Sequence, residues 1–424
     1  MKRILNIYSL ILLSALLGAC ASGKKLNKTI TTALNPATFG NHFSGIMIYD
    51  PISGDTLYQL NSEKYFTPAS NTKLFTLYTS LLLLPKDIPA LRYCNMNDTL
   101  FIEGTGNPSL LHPFLKDSSA IQFLKSYKNI SLNLNNYTDS KLGPGWAWED
   151  YDGYYSAERS ALPLFGNVVT IYKNDSLDVV PTYFKSKVKL TKNTTNRELD
   201  SNSFYFDPSI KDTLEIPFKT DSLVIRALLE AAIGKEISVV SKMPCEEKMI
   251  LPGIPTDSIN KRMMQESDNF LAEQLLVLAS STLSDTLNTE IAIEYILKNR
   301  LKELTPSPRW VDGSGLSRYN LFSPESIIYV LNAMYKEFPK ERLFNLFAQG
   351  GESGTLADWY PGNPHPYIYA KTGTLGNNHN ISGYLITKSG KTLIFSFMNN
   401  HFTNPASEIK KQMQSIFEWL RDNY

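Results

Sequence analysis

The sequence carries almost no excess of charge of either sign. Its 424 residues include 42 Lys plus Arg against 41 Asp plus Glu, for a formal net charge of +1 at pH 7. Because binding to nucleic acid depends on a basic surface that faces the phosphates, this balance predicts no nucleic-acid partner. Its five histidines show no metal-ligand spacing, so no metal site and no cofactor is predicted, and His379 is expected in a loop.

No apolar run is long enough to span a membrane. Residues 4–17 follow the basic pair Lys2-Arg3 and are broken by polar residues, a pattern typical of an export signal. The close of the first 20 residues, L-G-A-C, resembles a bacterial lipobox and predicts lipidation of Cys20; the alternative is a plain signal peptide with a chance cysteine. Residues 21–40 are polar and small, like a tether. We therefore expect a cell-envelope protein, periplasmic or otherwise extracytoplasmic, held to a membrane by a lipid anchor.

The remaining chain is too long for one ordinary compact domain, and its strand-like and helical patterns fall in separate regions. A strand pair at 43–60 and three strands at 367–372, 381–387 and 391–398 are expected to form one antiparallel sheet with helices on its faces. Helical patterns run from 256 onward: 257–265, 269–281, 286–303, 323–337, 341–348 and a closing helix at 406–421.

Between these parts the sequence shows short strand-like runs and turn residues instead of long helical patterns. This predicts an inserted β-rich domain at 94–245. The host domain would then comprise 41–93 and 246–424, and the fold class would be α/β (α+β).

Ser70 and Lys73 stand three residues apart at the head of an apolar helix. That spacing places both side chains on one helix face, where a buried lysine can act as a base for a serine nucleophile. The spacing alone is weak, since S-x-x-K also occurs at Ser22, Ser186 and Ser258. A helix N-cap is the alternative role for Ser70.

Two later segments complete a set. Ser267-Asp268-Asn269 lies between two helical patterns, and Lys371-Thr372-Gly373 ends an apolar strand. A second K-S-G, at Lys388, is better explained as a hairpin turn. Together, S-x-x-K, S-D-N and K-T-G in this order resemble the motifs of penicillin-binding proteins and serine β-lactamases.

Four further segments resemble the D-alanyl-D-alanine carboxypeptidase/endopeptidase family of low-molecular-mass penicillin-binding proteins, the branch with a large insertion after the nucleophile. They are 68-PASNTKL-74, 104-GTGNPSL-110, 144-PGWAWEDYDGYYSAERSAL-162 and 312-DGSGLSRYN-320. The resemblance implies a penicillin-binding/serine β-lactamase-like domain that acts on peptidoglycan stem peptides. It also implies β-lactam antibiotics as covalent inhibitors.

The same resemblance implies roles for the motif residues. Ser70 would be the acylated nucleophile and Lys73 its base, Ser267 would pass the proton to the leaving amine, and Asn269 would orient Lys73 and hold the substrate. Lys371 would keep the site cationic, and Thr372 and Thr374 would bind the terminal carboxylate of the substrate. The backbone N–H groups of Ser70 and Thr374 would form the oxyanion hole.

Two other functions fit the same motifs. A serine β-lactamase uses the three elements on the same kind of domain but hydrolyses the penicilloyl-enzyme quickly. A non-catalytic cell-wall-binding lipoprotein would keep the fold without the chemistry.

Cys94 and Cys245 remain once Cys20 is assigned to lipid. They stand at the two ends of the predicted insertion, whose ends should be neighbours in space, and an even pair in an oxidising compartment favours a disulfide. The alternative is two buried free thiols.

Overall fold

A computed structural model of the protein describes residues 26–32, 34, 40–173 and 176–424. These residues form two compact units. The first contains the described residues up to Asn71 together with Leu304–Pro308 and Leu321–Tyr424, and the second contains Thr72–Glu303 and Arg309–Asn320. The chain therefore passes from one unit to the other inside the S-x-x-K motif.

The strands follow one another along the described chain as β1 (Phe43–Asp50), β2 (Asp55–Leu60), β3 (Asp87–Met96), β4 (Thr99–Glu103), β5 (Asn129–Asn133), β6 (Val168–Lys173), β7 (Leu177–Val180), β8 (Val188–Leu190), β9 (Phe204–Phe206), β10 (Leu214–Pro217), β11 (Ser238–Val239), β12 (Met249–Pro255), β13 (Ala348–Gln349), β14 (Ile368–Leu375), β15 (Asn378–Ile386) and β16 (Thr392–Asn400). The helices are α1 (Lys73–Leu83), α2 (Ser119–Lys125), α3 (Ser222–Ile233), α4 (Thr256–Gln265), α5 (Asn269–Ser280), α6 (Thr289–Asn299), α7 (Pro324–Glu337), α8 (Lys340–Leu346) and α9 (Ala406–Asn423). Residues 26–32 are also helical.

The first unit is built on a six-stranded sheet in the order β13-β14-β15-β16-β1-β2. Every neighbouring pair in it is antiparallel. The N-terminal strand pair thus joins the C-terminal strands through β1 and β16, which confirms the predicted single sheet.

Helices cover both faces of this sheet because its strands are apolar on both sides. Alternate residues of a strand point to opposite faces. On one face Phe395 packs on Phe417 of α9 with ring centroids 4.6 Å apart, and Ile381 and Leu385 belong to the same buried cluster. On the other face the Tyr384 hydroxyl donates a hydrogen bond to the Leu331 carbonyl in α7 at 2.8 Å.

The second unit combines sheets with a group of helices. Its largest sheet has the order β11-β5-β4-β3-β12, with parallel pairs at β11-β5 and β5-β4 and antiparallel pairs elsewhere. A three-stranded sheet, β10-β6-β7, and a parallel pair, β8-β9, complete it.

Helix α5 lies at the centre of the helical group and contacts α1, α4 and α6. Every residue from Phe270 to Ser280 is buried, including the polar side chains of Glu273 and Gln274. The Gln274 amide also donates to the carbonyls of Gly106, at 2.8 Å, and Ser160, at 3.0 Å. The segment 94–245 is therefore packed on α5 within one compact unit, whose bounds differ from the predicted domains; the predicted boundaries remain a prediction.

Cys94 and Cys245 are joined by a disulfide in the second unit. Their Cα atoms lie 6.6 Å apart across a sequence separation of 151 residues. The bond links β3 to the segment that precedes β12.

The described helices include none that is both long and apolar enough to cross a membrane. Cys20 and the predicted export signal lie outside the described residues.

Candidate active site

Ser70 lies in a turn that leads straight into a helix. Residues Ala69–Thr72 form a 3-10 helix, and α1 begins directly after it at Lys73. Ala69 has a φ of 48°, in the left-handed region that residues with side chains rarely adopt. Its side chain is fully buried, so the surrounding packing holds this conformation, while Ser70 itself is only half-buried.

Two buried asparagines fix the backbone just before Ser70. The side-chain oxygen of Asn400 accepts the Thr67 N–H at 2.7 Å. The side-chain amide of Asn380 donates to the carbonyls of Thr67 and Pro68, both at 2.9 Å. Because Asn380 and Asn400 lie on β15 and β16, the sheet itself positions the turn that carries Ser70.

The K-T-G segment packs directly against this turn. A Cβ atom at Gly373 would lie 2.5 Å from the Pro68 carbonyl oxygen and 2.8 Å from the Asn71 nitrogen, so only glycine allows the approach. The Asn71 side-chain amide donates to the Lys371 carbonyl at 3.1 Å. Strand β14 is thus held beside the residue that follows Ser70.

Three side chains of β14 have predicted roles, and they differ in burial and in hydrogen-bond partners. Lys371 is fully buried, and its Nζ donates to the Thr372 carbonyl at 2.8 Å. The Thr372 hydroxyl donates to the Thr355 hydroxyl at 2.7 Å. Thr374 is exposed, and its Oγ1 lies 2.9 Å from Nδ1 of His379.

Lys73 is held in the second unit by two acceptors. Its Nζ donates to the side-chain oxygen of Asn269 at 2.6 Å and to the Ser314 carbonyl at 2.8 Å. The side chain has no exposed surface. The structure therefore brings the lysine of S-x-x-K into direct contact with the asparagine of S-D-N.

Burial lowers the pKa of Lys73 to about 8, because a buried ammonium loses its hydration. The nearby carboxylates of Glu273, Asp312 and Asp268 act in the opposite direction and favour the protonated form. A pKa near 8 leaves a substantial fraction of the amine neutral at mildly alkaline pH. That fraction can accept a proton.

The S-D-N segment forms a strained turn at the start of α5. Ser267 has a φ of 59°, again in the left-handed region. Asp268 caps the helix by accepting the Leu271 N–H at 3.0 Å. The side-chain amide of Asn269 donates to the Tyr155 carbonyl at 3.1 Å, which leaves its oxygen turned toward Lys73.

Glu273 is a residue of the site that sequence reasoning missed. It is fully buried one helical turn after Asn269, and its Oε1 accepts the Ser314 N–H at 2.8 Å. Its Oε2 lies 3.6 Å from the Arg159 guanidinium. Burial raises the pKa of Glu273 above the usual carboxyl range, an effect that Arg159 partly offsets.

The loop that presents the Ser314 carbonyl to Lys73 is fixed by the buried Asp312 carboxylate. It accepts hydrogen bonds from four donors: the backbone N–H groups of Gly315 and Ser317 and the side chains of Asn320 and Trp146. Both partner segments, 312-DGSG-315 and 144-PGW-146, carry the family resemblance. That resemblance was the available signal, although it assigned them no role.

His379 was predicted in a loop, and that prediction was wrong. It lies in β15 directly opposite Thr374 of β14 and retains only 1% of its surface exposed. The run N-H-N-I contains too few consecutive apolar residues to mark the start of a strand. Pairing with β14 and β16 fixes it there instead.

A profile of the D-Ala-D-Ala carboxypeptidase 3 (S13) family matches residues 26–244 and 253–422. The chain belongs to this family.

Curated relatives agree with this placement. The penicillin-sensitive carboxypeptidase A of Dictyostelium discoideum is 25% identical over 89% of this chain and 83% of its own length. The D-alanyl-D-alanine carboxypeptidase DacB of Haemophilus influenzae is 23% identical over 86% of each chain. The crystal structure of penicillin-binding protein 4 (dacB) from Haemophilus influenzae shares the fold, with a TM-score of 0.72 at 18% identity over 93% of this chain and 99% of that chain.

The enzyme is accordingly a serine-type D-Ala-D-Ala carboxypeptidase, a hydrolase of the penicillin-binding class. The predicted family, fold class and activity are confirmed. Its candidate site residues are distributed as follows: Ser70, Lys371, Thr372 and Thr374 in the first unit, and Lys73, Ser267 and Asn269 in the second.

Proposed function

We propose that this carboxypeptidase/endopeptidase acts on peptidoglycan stem peptides through an acyl-enzyme on Ser70. The observation that carries the proposal is the environment of Lys73. This lysine is fully buried, its Nζ donates to Asn269 and to a backbone carbonyl, and its pKa is lowered to about 8. Such a lysine is suited to take the proton of a serine three residues earlier on the same helical segment.

In the acylation step the Ser70 hydroxyl attacks the carbonyl carbon of the penultimate D-alanine while Lys73 accepts its proton. The oxyanion that forms accepts hydrogen bonds from the backbone N–H groups of Ser70 and Thr374. Ser267 then passes the proton held by Lys73 to the amine of the leaving D-alanine, so that the peptide bond breaks and Lys73 is neutral again. Water hydrolyses the resulting ester and regenerates Ser70.

The terminal carboxylate of the substrate is bound by Lys371, Thr372 and Thr374. Support comes from the geometry of β14, where Thr372 and Thr374 share one face of the strand because residues two apart point the same way. Asn269 holds the peptide of the substrate as well as Lys73. β-Lactams carry a carboxylate beside a strained amide, so they acylate Ser70 and remain as slowly hydrolysed esters.

We further propose that the protein works outside the cytoplasm as a lipoprotein anchored through Cys20, after removal of a signal peptide. The Cys94–Cys245 disulfide supports an oxidising compartment. Mass spectrometry of the mature N-terminus tests the anchor. A diacylglyceryl Cys20 is expected, and an unmodified terminus downstream of Cys20 would refute it.

The decisive assay is release of D-alanine from a D-Ala-D-Ala stem peptide, measured for the native protein and for Ser70→Ala. We expect release by the native protein, none by the variant, and a fluorescent penicillin label that persists. Rapid turnover of the penicillin would indicate a β-lactamase. The absence of both the penicillin label and D-alanine release would indicate a non-catalytic wall-binding protein.

A further inference from the structure

The side chain of His379 is buried against Thr374, one of the residues that we propose as a ligand of the substrate carboxylate. The two residues face each other across β14 and β15, and Oγ1 of Thr374 lies 2.9 Å from Nδ1 of His379. Thr374 is exposed, whereas only 1% of the surface of His379 is exposed to solvent. The histidine therefore stands behind the threonine, on the side away from solvent.

His379 is a neutral imidazole in this position. Burial lowers its pKa to about 3, and the positive charge of Lys410 acts in the same direction. A neutral imidazole has one N–H donor and one acceptor nitrogen. Which nitrogen carries the proton decides whether Thr374 receives or gives a hydrogen bond.

The two ring nitrogens have different surroundings. Nδ1 faces the Thr374 hydroxyl, while Nε2 is buried with no hydrogen-bond partner among the described residues. A proton on Nε2 would bury an N–H donor without an acceptor, and such orphaned donors are the rarer and costlier case. A proton on Nδ1 satisfies the donor at once, so the surroundings favour the Nδ1–H tautomer.

We propose that His379 is a positioning residue for substrate recognition: its Nδ1–H donates to Thr374 Oγ1, which leaves the hydroxyl proton of Thr374 for the terminal carboxylate of the substrate. A carboxylate only accepts hydrogen bonds, so it requires this orientation. With the other tautomer Thr374 would donate its proton to the ring and present only lone pairs to the anion. A hydroxyl that accepts one hydrogen bond is also a stronger donor in the next.

The inference rests on the carboxylate role proposed for Thr374, so the test separates the two. We would measure kcat/KM for an N-acyl-D-Ala-D-Ala peptide with a free carboxylate and for its C-terminal methyl ester. The proteins compared are the native enzyme, H379L, H379N, T374V and the double variant H379L/T374V. In H379N the side-chain amide replaces the Nδ1–H donor, whereas H379L removes it.

For H379L we expect about a tenfold loss with the free acid, from a weakened hydrogen bond to a charged group, and little change with the ester. H379N should recover most of the loss. The double variant should be no worse than T374V alone, because the histidine acts only through Thr374. Equal losses on acid and ester, or an H379N that behaves like H379L, would overturn the proposal.

T374V separates the carboxylate role proposed for Thr374 from the positioning role proposed for His379. If T374V keeps the preference for the free acid, the carboxylate role of Thr374 fails and this inference falls with it. If T374V loses the preference and H379L keeps it, only the inference about His379 fails.

A second measurement determines the tautomer in the native protein itself. Imidazole ¹⁵N NMR of the native protein, with the His379 signals assigned by their absence in H379N, reports which nitrogen is protonated. We expect a protonated Nδ1 and a bare Nε2 between pH 5 and 8. A protonated Nε2 would contradict the proposal.

Discussion

Two buried lysines, Lys73 and Lys371, have different surroundings, which we compare with the different roles proposed for them. Both have no exposed surface. Lys73 sits on a helix, where its amine donates to an amide oxygen and a backbone carbonyl and lies near three carboxylates. Lys371 sits on a strand and donates to the carbonyl of its own neighbour, Thr372.

The two lysines differ in the groups that the neighbouring helices and strands place beside them. Helix α5 supplies both Asn269 and Glu273 to the surroundings of Lys73, one turn apart on one face. Strand β14, which carries Lys371, instead packs against the backbone of the turn at Pro68 and Asn71, because Gly373 has no side chain to prevent this approach. The lysine that we propose as the base therefore lies among helices, and the lysine that we propose for substrate binding lies on a strand.

Of the two lysines, Lys73 is expected to show the larger effect. In Lys73→Ala the acylation rate should fall by about 100- to 10,000-fold, the usual worth of a general base, and equally for acid and ester substrates. Stopped-flow labelling with fluorescent penicillin measures this directly. Lys189→Ala, the exposed lysine of another S-x-x-K, is the matched control and should label normally. Fast acylation of Lys73→Ala would remove Lys73 from the mechanism.

A smaller and more selective effect is expected at Lys371. Its replacement by alanine should lower kcat/KM about 10- to 100-fold for substrates with a free terminal carboxylate, since a hydrogen bond to a charged group is lost. Ester substrates should be affected much less. Lys388→Ala, in the exposed K-S-G turn, serves as control. Equal losses on acids and esters would argue against the carboxylate role.

The pH dependence of acylation should report the pKa of Lys73 and the effect of the nearby Glu273 charge on it. If neutral Lys73 is the base, the rate rises as pH passes through its pKa of about 8. Glu273 favours the protonated amine, so Glu273→Gln should lower the pKa of Lys73 and move the rise to lower pH, by about one unit. Glutamine keeps an oxygen for the Ser314 N–H.

Acylation rates between pH 5.5 and 9.5 provide the test, with the exposed Glu294→Gln as control. A profile that stays in place, or that moves to higher pH, would show that the Glu273 charge does not act on the base.

The smallest effect on catalysis is expected from the disulfide. Replacing Cys94 and Cys245 by serine should lower the free energy of unfolding by at most about 4–5 kcal/mol, the chain-entropy limit for so long a loop. The preference for free acids should stay unchanged. Thermal unfolding with and without reductant gives the stability, and non-reduced peptide mapping gives the linkage. Alkylated, unlinked cysteines in protein from its native compartment would contradict it.

Much of the fold was accessible from periodicity and turn residues. The helix predicted at 323–337 is observed as α7, Pro324–Glu337, because Ser323 and Pro324 mark its start unambiguously. The helix predicted at 286–303 is shorter, Thr289–Asn299, since Asn288 caps it by accepting the Glu290 N–H. The strands near the C-terminus were likewise placed to within a few residues.

Parts of the site were inaccessible for physical reasons. The second acceptor of Lys73 is the backbone carbonyl of Ser314, and no side-chain motif encodes which carbonyl will face an amine. Glu273 and Arg159 are far apart in sequence and meet only through tertiary packing. The extent of each compact unit also depends on such contacts, as with Gln274 and the carbonyls of the inserted segment.

The most direct test of the account is the site of penicillin attachment. The protein is treated with benzylpenicillin, and the adduct is located by peptide mass spectrometry in the native enzyme, in Ser70→Ala and in Ser186→Ala as control. We expect one penicilloyl group on Ser70, a normal adduct in Ser186→Ala, and none in Ser70→Ala. The thermal midpoint of Ser70→Ala should stay close to native, because at most a capping interaction of about 0.5–2 kcal/mol is lost. An adduct on any other residue, or one that persists in a folded Ser70→Ala, would contradict the mechanism.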